Sequence, residues 1–190
     1  MKKCILIIVS MFLMLTVLQA GSVVGSDSGS KFSRYAYRDA FQTAGLEAKN
    51  TMDGEVIMNL WQSFVAMVDK VTEPVGENLY GITYMDKDYD PEKMVGYSYF
   101  VGIQVQDKSE CPEGMIMHKV PASAYAVFEH KGKIETIDET YNYIFTDWVN
   151  MSRCTPATQD VFEVYDERFS QGSDDSIVEI WVPLQVPSGE

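Results

Sequence analysis

Histidine, cysteine and basic residues are scarce in this chain. Its 190 residues include two histidines, three cysteines and 15 lysines and arginines, against 28 acidic residues. His118 and His130 are not spaced as metal ligands, and no Cys/His cluster indicates zinc. A glycine-rich phosphate loop, a Gly-x-Ser-x-Gly elbow and a His-Glu-x-x-His motif are all missing from the sequence. We therefore predict no metal, no cofactor and no assigned catalytic residue, and expect a binding protein rather than an enzyme.

The shortage of basic residues gives the chain a net charge of -13. Such a field repels nucleic-acid backbones and anionic lipid surfaces, so we expect no nucleic-acid partner. It favours a cationic ligand only as a long-range bias. Most of these charges are explained by solubility alone.

The N-terminus has the order of a secretory signal peptide. Lys2 and Lys3 precede an apolar run over 5–18, and small residues follow from Ala20. The run of about 14 residues is shorter than the roughly 20 that a membrane span needs. We predict a signal peptide over 1–20, a periplasmic or secreted product, and no stable membrane insertion after cleavage. An uncleaved anchor is the alternative.

The remaining chain is expected to form one domain. A small, polar stretch over 26–30 suggests a flexible leader, which we place at 21–40. The domain then covers 41–184, and a short tail covers 185–190. Export would permit a disulfide between Cys111 and Cys154, but the sequence leaves open whether the two are close.

Hydrophobic spacing predicts the same order of elements twice: strand, helix, strand, strand. Asp53 is a candidate cap for the first helix, whose apolar residues recur from Ile57 to Val68. A second helical stripe runs from Ile134 to Trp148. The predicted strands lie at 41–51, 79–85, 96–105, 124–130, 160–165 and 177–184. The fold class is α+β, with an antiparallel sheet, two helices on one face and a concave ligand cleft between the halves.

Short stretches distributed over roughly 41–184 form a recognisable series. They are Leu60-Trp61-Gln62, Tyr80-Gly81-Ile82, Val101-Gly102-Ile103-Gln104-Val105, Pro112-Glu113-Gly114-Met115, Val120-Pro121-Ala122, the stretch 125–132, the stretch 162–169 and the stretch 178–184. In order and spacing they resemble the effector-binding domain of the gyrase-inhibitor-like (GyrI-like, AraC-type) superfamily. The resemblance is greatest to stand-alone integron-cassette effector-binding proteins.

The resemblance implies binding of small, often cationic and amphipathic compounds in a cleft between the two halves. Regulators of the superfamily attach this domain to a DNA-binding head. Because 40 residues precede Phe41, we expect no such head here, and the predicted export signal leads us to expect no role inside the cell. Some members of the superfamily are implied to be hydrolases that use a cleft carboxylate with a tyrosine.

Glu179 is the first candidate for a cation receptor. In the last strand Val178, Ile180 and Val182 share one face, whereas Glu179 and Trp181 share the other, which we assign to the cleft. A carboxylate beside an indole suits a cation, and the resemblance places an acidic residue in this strand. An ordinary solvated glutamate is the alternative.

Glu163 is the second acidic candidate, because it shares a strand face with Tyr165 next to the strand of Glu179. Aromatic residues could line a pocket for a flat ligand, although most aromatics at such positions belong to a core. The predicted ligand-binding set is Glu179, Trp181, Glu163, Trp61, Tyr84, Tyr99 and Tyr165. For a hydrolase, Glu163 or Glu179 would act with Tyr99 or Tyr165.

Overall fold

The computed structural model describes residues 31–90 and 95–185, which form an antiparallel sheet with helices on one face. The predicted signal peptide lies outside the described residues, as do the first half of the leader (21–30) and the last five residues of the predicted tail. The strands are β1 (Phe32–Arg38), β2 (Phe41–Ala48), β3 (Pro74–Asp90), β4 (Val95–Val105), β5 (Ile116–Val120), β6 (Ser123–Lys131), β7 (Val161–Tyr165) and β8 (Ile177–Leu184).

Two helical segments connect the strands. Helix α1 (Gly54–Val65) begins where the Asp53 side chain accepts hydrogen bonds from the backbone amides of Glu55 and Val56. Ile57 and Phe64 point into the core because they lie on the same side of the helix. The second segment runs through α2 (Ile137–Asn142), a π-helical stretch (Tyr143–Trp148) and α3 (Val149–Ser152). The capped first helix and the second apolar stripe are therefore both present as predicted.

The order of strands requires the sheet to curl. The order is β1-β6-β8-β7-β3-β4-β2-β5, yet β1 connects to β2 through only two residues. Such a link spans at most about 11 Å, whereas six strand spacings in a flat sheet would cover about 29 Å. Pro121 and Ala122 connect β5 to β6 across the same gap. The two edges of the sheet must therefore approach each other, which gives the sheet an inner and an outer face.

Alternation along the strands places different residues on the two faces. On the outer face, α1 packs against β2 and β4, and the second helical segment packs against β6 and β8. Val178, Ile180 and Val182 lie under the second helical segment, as their alternation predicts. The inner face is filled by a separate aromatic cluster that includes Phe41, Phe100, Phe162 and Trp181.

The α+β class and the helices on one face are confirmed, but some boundaries differ from the prediction. Phe32–Arg38, which we placed in the leader, forms the edge strand β1. The sequence indicates this strand only weakly, because Tyr35 and Tyr37 are exposed and polar residues interrupt the hydrophobic pattern. The edge strand β5 lies between the predicted strands at 96–105 and 124–130, and β3 continues to Asp90, beyond the predicted end of its strand at residue 85. At both edges of the sheet, whether the segment forms a strand depends more on pairing with the neighbouring strand than on the local sequence pattern.

Candidate functional site

A single buried carboxylate with three tyrosine hydroxyl groups lies on the outer face, between the two helical segments. Glu163 on β7 is 4% exposed. The hydroxyl of Tyr99 donates to its Oε2 at 2.9 Å, that of Tyr165 to Oε2 at 2.8 Å, and that of Tyr141 to Oε1 at 2.8 Å. Among the described residues, no lysine, arginine or histidine pairs with Glu163. In its ionised form Glu163 is therefore hydrogen-bonded, but no positive side chain of the described residues neutralises it.

The tyrosines and the carboxylate come from both halves of the chain. Tyr99 belongs to β4 of the first half, and Glu163 and Tyr165 belong to β7 of the second. They share a face because β3 pairs with both strands, with Gly81 opposite both Val101 and Glu163. Tyr141 comes from α2 above the sheet. The site therefore forms where the two predicted halves meet.

Gly81 gives the polar groups room to meet. A Cβ atom at this position would lie 2.2 Å from the Tyr99 hydroxyl oxygen and 2.7 Å from Glu163 Oε2. Both distances are shorter than any real contact of this kind. Any residue other than glycine would therefore separate the phenol from the carboxylate, and a site of this shape requires glycine here.

Burial dominates the electrostatics of this site. It raises the pKa of Glu163 above the usual glutamate value, although hydrogen bonds from Tyr165, Tyr141 and Tyr99 oppose that rise. Burial also raises the pKa of the three tyrosines well above normal, and the nearby carboxylate adds to the effect. The phenols therefore remain protonated donors. The carboxylate would gain most from a positive charge brought close to it.

Trp61 of α1 forms the more accessible side of the site. Its indole Nε1–H donates to the Tyr99 hydroxyl at 3.3 Å, and its ring lies edge-to-face against Tyr165 at a centroid distance of 4.7 Å. Both rings are only partly buried, whereas Tyr99 and Glu163 are buried. A molecule approaching the carboxylate would meet these two aromatic surfaces first.

Glu179 has a different environment on the inner face. Arg34 donates to both of its carboxylate oxygens, at 2.9 and 3.0 Å, and Arg168 donates to Oε1 at 3.1 Å. The Trp181 indole donates to Oε2 at 2.9 Å. Burial alone would raise the pKa of Glu179, but the hydrogen bonds from Arg34, Trp181 and Arg168 outweigh it and lower that pKa. This carboxylate already has its cations.

The remaining predicted side chains lie away from Glu163. Tyr84 is on the inner face, where its hydroxyl donates to Glu47 and its ring lies 4.6 Å from that of His118. Cys111 and Cys154 are both free thiols in the structure. Of the predicted ligand-binding set, Glu163, Trp61, Tyr99 and Tyr165 come together, whereas Glu179, Trp181 and Tyr84 do not join them.

A metal-binding cluster and a membrane-spanning helix are both absent from the part of the chain that the structure describes. No group of three or more histidine, cysteine or acidic side chains there is arranged to hold a metal ion. Nor is any helix in those ranges long and apolar enough to cross a membrane.

A family model for a GyrI-like small-molecule-binding domain matches residues 34–185. This chain belongs to that family. The match begins within β1, which agrees with the structure and extends the predicted domain toward the N-terminus. The family is one of small-molecule-binding domains.

Known proteins similar to this GyrI-like chain include a regulator and a ligand-bound structure. The transcriptional regulator BrlR of Pseudomonas aeruginosa is 31% identical over 156 residues, which cover 80% of this chain and 55% of BrlR. The chain thus spans about half the length of that relative. SAV2435, solved bound to tetraphenylphosphonium, has a TM-score of 0.63 at 18% identity, covering 80% of this chain and 93% of its own. An integron cassette protein of Vibrio cholerae has a TM-score of 0.53 at 18% identity, with 80% and 95% covered.

Tyr141 and Gly81 are the members of this site that sequence reasoning missed. Tyr141 occupies a position in the apolar stripe of the second helix, whose spacing assigns it to the core. A tyrosine in such a stripe needs a partner for its hydroxyl, and that requirement is the signal that could have found it. Gly81 is part of the family resemblance, but its role depends on the pairing of β3 with two other strands.

Proposed function

We propose that this chain is an exported protein that binds a lipophilic organic cation over Glu163, between the two halves of the domain. The observation that carries the proposal is a nearly fully buried carboxylate with no cationic partner among the described residues. Burying an ionised group is costly unless an opposite charge compensates it. A bound cation would supply that charge.

The residues around Glu163 select a particular kind of cation. Trp61 and Tyr165 present aromatic surfaces, and the tyrosine hydroxyls already satisfy the carboxylate oxygens. The ligand therefore needs no hydrogen-bond donors of its own. A delocalised, weakly hydrated cation with apolar groups loses little on leaving water and gains cation–π attraction of about 0.5–2 kcal/mol. A small hydrated ion would lack these advantages.

Two further observations support a cationic ligand. SAV2435, which has the same fold, was solved with tetraphenylphosphonium, a cation of this class. The net charge of -13 would also raise the local concentration of cations around the protein and speed their encounter. The net charge attracts cations in general, and the residues around Glu163 determine which cation binds.

The ligand class can be tested by changing the sign of the charge at constant shape. Tetraphenylphosphonium and tetraphenylborate are nearly the same size but opposite in charge. Isothermal titration of the purified protein should show saturable, one-to-one binding of the phosphonium and much weaker binding of the borate. Equal binding of the two ions would show that the site recognises apolar shape alone, and the cation proposal would then be wrong.

Export rests on the sequence of the first 20 residues, with Lys2 and Lys3 before an apolar run. Fractionation of bacteria expressing the whole chain should place the protein outside the cytoplasm, with a mass reduced by about 20 residues. Substituting two leucines of the apolar run by arginine should retain the uncleaved protein in the cytoplasm. Full-length protein in the cytoplasmic fraction of the unaltered strain would contradict export.

A hydrolase is the second candidate, and one feature of the site favours it. The raised pKa of Glu163 and its contact with Tyr99 resemble the carboxylate–tyrosine pair that such a reaction would require. Two hydrolase structures from Listeria innocua share the fold, with TM-scores of 0.52 and 0.51 at 11% and 10% identity. Incubation with a panel of cationic aryl esters and mass spectrometry would show turnover if the chain is an enzyme. Recovery of every compound unchanged would favour the binder.

A further inference from the structure

The inner face of the sheet carries a second group of aromatic rings, and a cation of the chain itself occupies it. The guanidinium carbon of Arg38 lies 3.8 Å from the ring centre of Phe41. It lies 5.2 Å from the ring centre of Tyr80, 5.3 Å from that of Phe162 and 5.6 Å from that of Trp181. We call these four rings the inner cage. It is separated from Glu163 by the thickness of the sheet, because Phe162 and Glu163 are neighbours that point to opposite faces.

Neutral acceptors complete the binding of Arg38. Its Nη2 donates to the Tyr80 hydroxyl at 2.8 Å and to Gln104 Oε1 at 3.0 Å. No acidic side chain of the described residues lies within ion-pair distance of Arg38. The charge is therefore held by rings and by directed hydrogen bonds in the plane of the group. That combination suits a planar guanidinium and not a compact ammonium.

A second arginine from the same strand supports the assignment. Arg34 lies on the inner face with Arg38, and its guanidinium carbon is 5.3 Å from the ring centre of Trp181. Its bidentate ion pair with Glu179 satisfies the carboxylate that the sequence suggested as a cation receptor. The inner face thus binds cations as that carboxylate and indole predict, but the cations belong to the chain itself: Arg34 and Arg38 come from β1, and Arg168 follows β7.

The strand that carries the two arginines is an edge of the described sheet. β1 pairs with β6 alone, and the outward-facing Tyr35 and Tyr37 are 57% and 69% exposed. Separating β1 would break no other strand pair of that sheet. Because Arg38 is attached to the cage through a two-residue link, its local concentration there is high, and a free ligand must compete with it.

We propose that the inner cage is a guanidinium-binding site, independent of Glu163, which the chain fills with its own Arg38. In the unaltered protein the site is closed to external ligands while β1 is paired. A small guanidino compound is the chemical class that it accepts once the Arg38 side chain is absent.

Chemical complementation tests this proposal. Arg38→Ala should bind ethylguanidinium, at least about tenfold more tightly than ethylammonium, because only the planar group reproduces stacking and directed hydrogen bonds. The readout is isothermal titration together with the indole N–H resonance of Trp181. Arg38→Met, which fills the cage without charge, and Tyr37→Ala, which changes the outward face of the same strand, should bind neither compound. Equal binding of the two cations to Arg38→Ala, or binding of neither, would overturn the proposal.

Failure of Arg38→Ala to fold is itself informative. Arg38→Ala should then refold in the presence of ethylguanidinium and not in the presence of ethylammonium. If it refolds with neither compound while Arg38→Met folds normally, the Arg38 side chain serves only for packing, and the proposed site is refuted. Glu163→Gln in the same background separates this site from the proposed function. It should leave ethylguanidinium binding unchanged. Loss of ethylguanidinium binding can then be assigned to the inner face of the sheet, and loss of tetraphenylphosphonium binding to the outer face.

Discussion

Replacing Glu163 with glutamine removes the charge of the proposed receptor while keeping its shape. The phosphorus of tetraphenylphosphonium can approach a carboxylate to roughly 5–6 Å, where two unit charges attract by about 3 kcal/mol at an effective dielectric of about 20. Part of this attraction offsets the burial that raises the pKa of Glu163. We therefore expect Glu163→Gln to lose about 1.5–3 kcal/mol of binding free energy, an affinity lower by about ten- to a hundredfold.

Glu179→Gln is the matched control, since it changes the same residue type on the neighbouring strand. Its carboxylate is already paired with Arg34 and Arg168, so the affinity for tetraphenylphosphonium should change by no more than about twofold. Titration calorimetry measures the affinities, and denaturant unfolding confirms that each variant is folded. Tetraphenylborate, whose charge is reversed, should bind Glu163→Gln better than it binds the unaltered protein.

The outcomes assign the receptor without ambiguity. Loss of affinity in Glu179→Gln with full affinity in Glu163→Gln would move the cation site to the inner face and refute Glu163 as the receptor. Full affinity in both variants would mean that charge plays no part in recognition. Only loss confined to Glu163→Gln agrees with the uncompensated carboxylate.

Further predictions concern the same site and the helix that borders it. Because the pKa of Glu163 is raised, its ionised form is lost as pH falls through a value above the usual glutamate range. Affinity for tetraphenylphosphonium, measured by fluorescence titration, should decrease over the same pH interval. Glu163→Gln should show no such step. Tyr141→Phe removes a hydrogen bond that favours the ionised carboxylate, so the same step should move to higher pH; an unchanged midpoint would argue against that contact. Gly81→Ala should cost about 1–3 kcal/mol of stability in denaturant unfolding and weaken phosphonium binding, since its Cβ would displace the Tyr99 hydroxyl. Asp53→Ala should lower the free energy of unfolding by about 1 kcal/mol through loss of the α1 cap, as measured by denaturant unfolding. Asp53→Asn should keep most of that stability, because asparagine also caps helices.

The local features of this protein follow from its sequence alone. Period-two alternation in β8 separates Val178 and Ile180 from Glu179 and Trp181. The helical spacing after Asp53 predicts α1 and its cap. Local chain geometry fixes such features, because side-chain direction follows directly from backbone period. The family resemblance then supplies the expected cleft between the halves.

Which carboxylate is available to a ligand depends instead on tertiary contacts. Glu163 and Glu179 have similar local sequences, each an acidic residue in an apolar strand with an aromatic residue two positions later. The difference arises from Arg34, which is 145 positions from Glu179 in the chain and reaches it only because β1 pairs with β6 and β6 with β8. Glu163 instead faces Tyr99 and Tyr141, whose hydroxyl groups stabilise the charge without cancelling it. Charge compensation depends on contacts between distant segments, and no local pattern encodes those contacts.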